Sequence, residues 1–352
     1  MATNKPFEFF IQWHLTEKCN LQCRHCYQDG RSMDELSLPE IKKVIVEASD
    51  MIKTWSETYN ADFSRSMNVT GGEPFLRQDL FEILAEIKQH GFDTYLLTNG
   101  TLVTRKHARE LVDLGVSGVQ VSIEGCEEVH DEIRGRGSFT ASVAGIENLI
   151  DAGLLVTLNV TLSNLNASSM TKVIACGTHL GARRIGFSRL VPSGKGSSLL
   201  SQMLSPQQVK ELYASLFSLE LKGLEIVTGD PVASQMNARS NGDAGNVAIS
   251  GCAAGVSGLT ILSNGNVTPC RRMPIPIGNV RSDSLREIWA ASPVLSALRD
   301  RNRYQGKCGT CKRWAHCRGC RAIAYACSQS RGENGFLTDD PQCFLENENH
   351  SK

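Results

Sequence analysis

Three cysteines within eight residues constrain this chain more than anything else in it: Cys19-Asn-Leu-Gln-Cys23-Arg-His-Cys26-Tyr27. Cysteines this close in sequence form a metal-site pattern. Three thiolates on one short loop can hold three irons of a cubane cluster and leave the fourth without a protein ligand. An electron-transfer cluster uses four cysteines. A vacant iron therefore points to catalysis, as an incompletely ligated zinc does. Spacing alone leaves two other readings open, a zinc knuckle completed by His25 or His14 and a disulfide-bonded loop. The strand-like run 9–16 (FFIQWHLT) ends just ahead of the loop. That places the loop beyond a strand's carboxyl end, where α/β barrels carry out their chemistry.

A length of 352 residues fits one large domain or two smaller ones. Hydrophobic residues at 41% and charged residues at 21% describe an ordinary soluble globular protein. The formal net charge of zero argues against long-range attraction to nucleic acid or an anionic membrane. No apolar run reaches the length of a membrane span, and the first residues lack a signal-peptide pattern. Thirteen cysteines in such a chain point to metal ligation in a reducing, cytoplasmic setting.

Up to about residue 230 the sequence alternates between two periodicities. Strands are expected at 9–16, 66–70, 94–98, 119–123, 155–162 and 184–188. Amphipathic helices are expected at 38–54, 78–89, 104–113, 138–152, 167–180 and 206–222, with Ser138 as the N-cap of the fourth. Six βα units in a row predict a parallel sheet with right-handed crossovers, two units short of a full barrel. Beyond a boundary at about residue 230, Gly, Asn, Ser and Ala dominate up to residue 258. Asn264-Gly265 between two alternating runs then predicts a β-hairpin, and the tail becomes dense in cysteine.

Gly71-Gly72-Glu73-Pro74 follows the second strand directly. Two glycines let the backbone approach a ligand closely, proline stops the strand, and Glu73 offers an acceptor for a cation. With the three-cysteine loop one βα unit earlier, the chain resembles the radical S-adenosylmethionine (SAM) superfamily. His25 stands where that family has an aromatic residue before the third cysteine. The resemblance implies an α/β fold, a partial (β/α)6 TIM-like barrel in residues 1–230. It implies a [4Fe–4S] cluster on Cys19, Cys23 and Cys26 whose open iron binds SAM. Reductive cleavage of SAM then yields a 5′-deoxyadenosyl radical that abstracts a substrate hydrogen atom. Gly71, Gly72, Glu73 and Pro74 correspond to the motif that holds the methionine amino group. His25, Tyr27, Asn99, Ser122, Arg134 and Asn159 are the further positions expected to contact SAM.

The carboxyl-terminal cysteines resemble the SPASM extension of that superfamily, a small cysteine-rich α+β domain in residues 231–352. The resemblance assigns one auxiliary [4Fe–4S] cluster to Cys308, Cys311, Cys317 and Cys343, and a second to Cys252, Cys270 and Cys320. The pattern departs from the family in two places. Two residues rather than three separate Cys317 from Cys320, and no cysteine closely follows Cys252. The second cluster then keeps an open iron or recruits Cys327. A zinc ribbon is the competing reading of this region. Cys126, Cys176 and Cys327 are candidate hydrogen-atom donors, set against the plain reading of buried small hydrophobes.

Such enzymes mostly modify ribosomally made peptides or proteins, so a peptide or protein maturase is the leading expectation. Arg271 stands where formylglycine-forming maturases carry Asp, which disfavours that subclass. With the first strand starting near Phe9, a leader peptide is expected on a separate protein or on the core itself. A flavodoxin or ferredoxin is the expected electron donor. Two alternatives remain: an enzyme of tetrapyrrole or other cofactor biosynthesis, and a non-enzymatic Fe–S or Zn module or electron carrier. An Arg-lined cavity would mark the first, and an open groove at the mouth would mark a peptide substrate.

Overall fold

The segment Val-Thr-Leu-Asn-Val-Thr-Leu at 156–162 shows how this chain makes its sheet. Its four apolar residues are buried, while Thr157, Asn159 and Thr161 are half-buried on the opposite face. The period of two sends one set to the helices and the other to the concave side. A computed structural model of the chain describes residues 6–29, 34–237 and 251–345. In it six strands lie parallel and in chain order: β1 (Phe7–His14), β2 (Phe63–Thr70), β3 (Asp93–Thr98), β4 (Gly118–Ser122), β5 (Val156–Leu162) and β6 (Arg184–Arg189). The helices α1 (Leu38–Tyr59), α2 (Leu80–Gln89), α3 (Arg105–Asp113), α4 (Glu127–Arg134), α5 (Ser138–Asp151) and α6 (Met170–His179) connect them, and α7 (Pro206–Phe217) follows β6. Buried Ile41, Ile45, Ile83, Ile87 and Leu111 from these helices join Ile11, Trp13, Met67, Val69 and Leu96 in one core.

The sheet is wider than six strands. Beyond β6 a short β7 (Glu225–Val227) adds in parallel. At the other edge β8 (Gly258–Ile261) pairs in parallel with β1, Phe10 opposite Gly258 through Trp13 opposite Ile261. The antiparallel β9 (Asn266–Thr268) and β10 (Gly278–Asn279) follow. The order β10-β9-β8-β1-β2-β3-β4-β5-β6-β7 leaves β10 and β7 as edges, so the sheet is open. The carboxyl-terminal hairpin therefore continues the sheet of the first half. All four residues of β8 are buried, and its parallel pairing with β1, from the far end of the sequence, was not expected.

The expected hairpin is present, with its turn at 262–265. Gly265 N–H donates to the Leu262 carbonyl (2.9 Å), and of the Asn264-Gly265 pair only Gly265 has a positive φ. Ser138 is not the N-cap of α5. Gly137, at φ +80°, takes that place, and the Asp131 carboxylate accepts from the Gly137 and Phe139 N–H groups. Helix α4 lies in a stretch for which no helix was expected. Of the low-periodicity stretch after residue 230, residues 238–250 lie outside the described residues. Among the described residues no helix is long and apolar enough to cross a membrane.

At the carboxyl end of β6, buried charge locks the barrel strands to the carboxyl-terminal segment. Arg189 is fully enclosed, donating to Asp230 (2.6 and 3.2 Å) and to Asp340 (3.0 and 2.8 Å). Asp340 also accepts from the N–H of Cys320 (2.8 Å) and of Gln342 (3.0 Å). Removing one partner of a buried ion pair leaves the other without compensation. Asp340→Ala should therefore cost about 3–5 kcal/mol of stability, read as a lowered denaturation midpoint. A loss under about 1 kcal/mol, the scale of an exposed pair, would show that the cluster is not the lock described here.

Candidate active site

The carboxyl ends of β1 and β2 lie level, His14 opposite Thr70, and the segments that follow them meet. Gly72 N–H donates to the Thr16 carbonyl (2.7 Å) and Glu73 N–H to the Lys18 carbonyl (2.8 Å). A Cβ on Gly71 would stand 2.5 Å from the Thr16 oxygen, and one on Gly72 2.2 Å from the Lys18 oxygen. Only glycine permits this approach. The rest of the cysteine loop is tied to the later βα units. Asn99 Nδ2 donates to Asn20 Oδ1 (2.9 Å), Arg24 N–H to the Ile133 carbonyl (2.8 Å), and Gly196 N–H to the Cys26 carbonyl (2.9 Å).

Glu73 turns away from the mouth. Its buried carboxylate accepts from Thr98 Oγ1 (2.7 Å), Asn99 N–H (2.9 Å) and Phe75 N–H (3.3 Å), and so ties the end of β2 to that of β3. Burial pushes Glu73 up to about 7 against these hydrogen bonds. Glu124, which no motif marks, organises the other side. It accepts from Arg134 Nε (3.0 Å) and Nη2 (2.6 Å), His25 Nε2 (3.2 Å) and Thr161 N–H (2.8 Å). Burial opposes its charge, yet Arg134 and His25 hold its carboxyl well below the usual range. Arg134 is thereby fixed with Nη1 3.8 Å from Cys23 Sγ.

These pieces enclose one cavity at the carboxyl ends of the strands. Cys19, Cys23 and Cys26 line it, with Gly71, Gly72, His25 and Tyr27. Asn99, Ser122, Arg134 and Asn159 line it from the later units. Its polar inner face is the half-buried side of the alternating strands. Glu73 and Pro74 lie behind this lining. Cys126, Cys176 and Cys327 do not reach it, and Cys327 Sγ sits 3.6 Å from Met203 Sδ.

Three further lining residues were not among the positions expected to contact SAM. Glu17 is pushed up to about 7 by burial and accepts from Gln28 Nε2 (2.8 Å). Arg271 and Arg272 arrive from beyond Cys270. Arg271 donates to Gln12 Oε1 (2.5 Å) and lies 5.9 Å over the Tyr27 ring. Tyr27 Oη in turn meets His14 Nε2 (3.3 Å), whose imidazole is pulled down to about 3 by burial and by Arg271.

The carboxyl-terminal cysteines form two groups. Cys308, Cys311, Cys317 and Cys343 line one small cavity, the expected set of four. Cys270 and Cys320 lie within electrostatic reach of Arg272, and Cys252 within reach of Cys320. The Asp339 side chain accepts from Cys308 N–H (2.8 Å), and a backbone bond from Cys252 N–H to the Cys317 carbonyl (2.9 Å) joins the two groups. Among the described residues no three Cys, His, Asp or Glu side chains converge on a point that would hold a single metal ion.

Residues 13–174 match the family model of the radical SAM superfamily, and residues 252–320 match that of the iron–sulfur cluster-binding SPASM domain. The AdoMet-dependent heme synthase of Methanosarcina barkeri is 32% identical, over 97% of each chain. The mycofactocin maturase MftC of Mycobacterium tuberculosis is 31% identical, over 95% of this chain and 82% of its own. Among solved structures, Streptococcus suis SuiB bound to S-adenosylmethionine superposes with a TM-score of 0.70 over 97% of this chain and 78% of its own. At 15% identity that likeness speaks for the fold alone.

Two substitutions separate the loop's anchors from its ligands. Gly72→Ala should leave the sheet's circular dichroism intact and displace Lys18 and Cys19. Anaerobic reconstitution should then give about eight irons in place of twelve, one four-iron cluster fewer. Glu124→Gln should keep its iron and slow SAM cleavage roughly a hundredfold, the scale of a misplacement near 1 Å. Full iron and full SAM cleavage in both variants would contradict this account of the loop.

Proposed function

The chain belongs to the radical SAM superfamily and carries a SPASM domain, and from that premise we propose that it abstracts a hydrogen atom from a compact, cofactor-like substrate, foremost a tetrapyrrole. Enzymes of this superfamily bind a [4Fe–4S] cluster and SAM, and SPASM domains hold auxiliary iron–sulfur clusters. The residues fit these groups. Three free thiols share a cavity with the backbone of Gly71 and Gly72. His25 Nδ1 is buried there without a hydrogen-bond partner. When bound, the cluster and SAM supply a 5′-deoxyadenosyl radical.

The chain's own residues do the rest. Cys19, Cys23 and Cys26 would hold three irons. Glu124 keeps Arg134 charged and aimed beside Cys23, a fixed positive charge for the SAM carboxylate. Ser122 and Asn159, paired across β4 and β5, offer hydroxyl and amide groups to a ribose and an amino acid. The two carboxyl-terminal groups would hold auxiliary clusters able to take up the electron left after hydrogen abstraction, at potentials that charge and exposure set.

The observation that carries the substrate class is the cationic far wall, where Lys195, Arg271 and Arg272 line the cavity. A Cβ on Gly194 would stand 2.3 Å from the Tyr27 carbonyl oxygen, so the segment after β6 lies on the cysteine loop. Arg271 and Arg272 line the same side of the cavity. A concave pocket with two convergent arginines suits a compact anionic molecule. The heme synthase relatives support the same reading. The mycofactocin maturases favour a second one, in which a ribosomally made peptide or protein enters by one end and is modified, its leader held by a separate protein. In both, a flavodoxin or ferredoxin would deliver the electron.

The test is anaerobic. Reconstituted protein should carry about twelve irons, from three four-iron clusters, and form 5′-deoxyadenosine from SAM under a strong reductant. Cys23→Ala should abolish that product. Fe-coproporphyrin III should raise deoxyadenosine formation and be consumed, where a pool of precursor-like peptides is not. Turnover of the peptides alone would move the enzyme to the second reading, and absence of SAM cleavage would remove both.

A further inference from the structure

Residues 270–273 form a tight turn, closed by Met273 N–H donating to the Cys270 carbonyl (2.9 Å). Met273 is fully buried and anchors it. Arg271 and Arg272 are the two residues between these ends, and both side chains line the SAM-side cavity. A guanidinium has five donors in a planar fork and no acceptor. Here those donors are poorly matched. Arg271 has the single amide oxygen of Gln12. Arg272 gives one bond, Nη1 to the Arg189 carbonyl (3.3 Å), and its Nε is buried with no partner.

Among the described residues neither arginine has a carboxylate at ion-pair distance. The acids nearby have other partners. Asp230 and Asp340 are bound to Arg189 (2.6 and 2.8 Å), and Glu124 to Arg134 (2.6 Å). Glu17 is the acid of the lining, and it accepts from Gln28 (2.8 Å). The groups that can offset the two arginines are the thiols of Cys270 and Cys320; without a carboxylate partner, a buried guanidinium keeps donors free for an incoming anion. Paired guanidinium forks match the plane and two oxygens of a carboxylate.

We infer that Arg271 and Arg272 form a carboxylate-binding subsite that anchors the substrate by an acidic group and turns a nearby carbon toward the SAM side of the cavity. The inference rests on the radical SAM reading above and names the chemistry the substrate must carry. That chemistry is shared by the side-chain carboxylates of a tetrapyrrole and by the terminal or side-chain carboxylates of a peptide. It also gives Arg189 a second task. Its side chain locks β6 to the carboxyl-terminal segment, and its carbonyl accepts from Arg272.

The experiment uses the anaerobically reconstituted holoenzyme with SAM. Four probes are titrated: Fe-coproporphyrin III, its tetramethyl ester, an acid-terminated decapeptide pool and the same pool amidated. One acid form should bind about ten- to a hundredfold more tightly than its neutral counterpart, the scale of hydrogen bonds to a charged group. That preference should collapse in the Arg271→Gln/Arg272→Gln double variant and survive in part in Arg272→Lys. A preference confined to the peptide acid keeps the subsite and overturns the tetrapyrrole reading. Failure of every probe to bind, no preference for the acid, or a preference that survives in the double variant overturns the subsite while SAM cleavage keeps the radical reading intact. Loss of auxiliary iron or of SAM affinity in the double variant would also overturn it, by assigning the arginines to those groups.

Discussion

The two glycine backbones that lie against the carbonyls of Thr16 and Lys18 set the position of everything at the mouth. Among the described residues between β1 and α1 the cysteine loop has no helix or strand of its own, so its shape must come from outside. The units after β3, β4 and β6 contribute ties, through Asn99, Ile133 and Gly196 in turn. The ties work only if the strands keep their register, because a slip of one residue would send every inward side chain to the helices. Sheet order and loop geometry are thus one constraint. Metal binding then draws on a loop that is already shaped, which lowers the ordering cost that cluster formation would otherwise meet.

Buried charge is the second organising theme, and its purpose is placement. Buried ion pairs are weak evidence of net stabilisation, since desolvation opposes the attraction. Arg189 with Asp230 and Asp340, and Glu124 with Arg134 and His25, instead hold particular groups at particular points. The first joins β6 to the backbone of Cys320 and carries Arg272 on its carbonyl. The second sets a guanidinium beside Cys23. Through Arg134 and Arg272, both clusters position residues that line one cavity.

Much of this was legible before any coordinates. Period-two alternation marked six strands because each has one face on the helices and one on the cavity. The cysteine spacings and Gly71-Gly72 marked the site because metal and close backbone approach demand those residue types. What escaped did so for physical reasons. The hairpin strand β8 was expected, but its parallel pairing with β1 sets Gly258 opposite Phe10, and no local pattern encodes a contact so distant in sequence. Gly137 took the cap expected of Ser138 because Asp131, six residues earlier, supplies the acceptor. Glu73 looked like an acceptor for a ligand, but its partners Thr98 and Asn99 come from the next strand, and no local pattern announces that. Glu124, Arg271 and Arg272 belong to the site through contacts spanning tens to hundreds of residues, which a linear pattern cannot encode.

The most direct test of the central claim, that a loop shaped by its backbone ties presents three thiols to one shared cavity, is an anaerobic crystal structure of the reconstituted protein with SAM. The account predicts a cluster on Cys19, Cys23 and Cys26, with the Gly72–Thr16 and Gly196–Cys26 hydrogen bonds retained and Arg271 and Arg272 facing the bound SAM across the remaining space. A loop refolded around a single zinc ion, or a wall that places the arginines outside the SAM cavity, would contradict it.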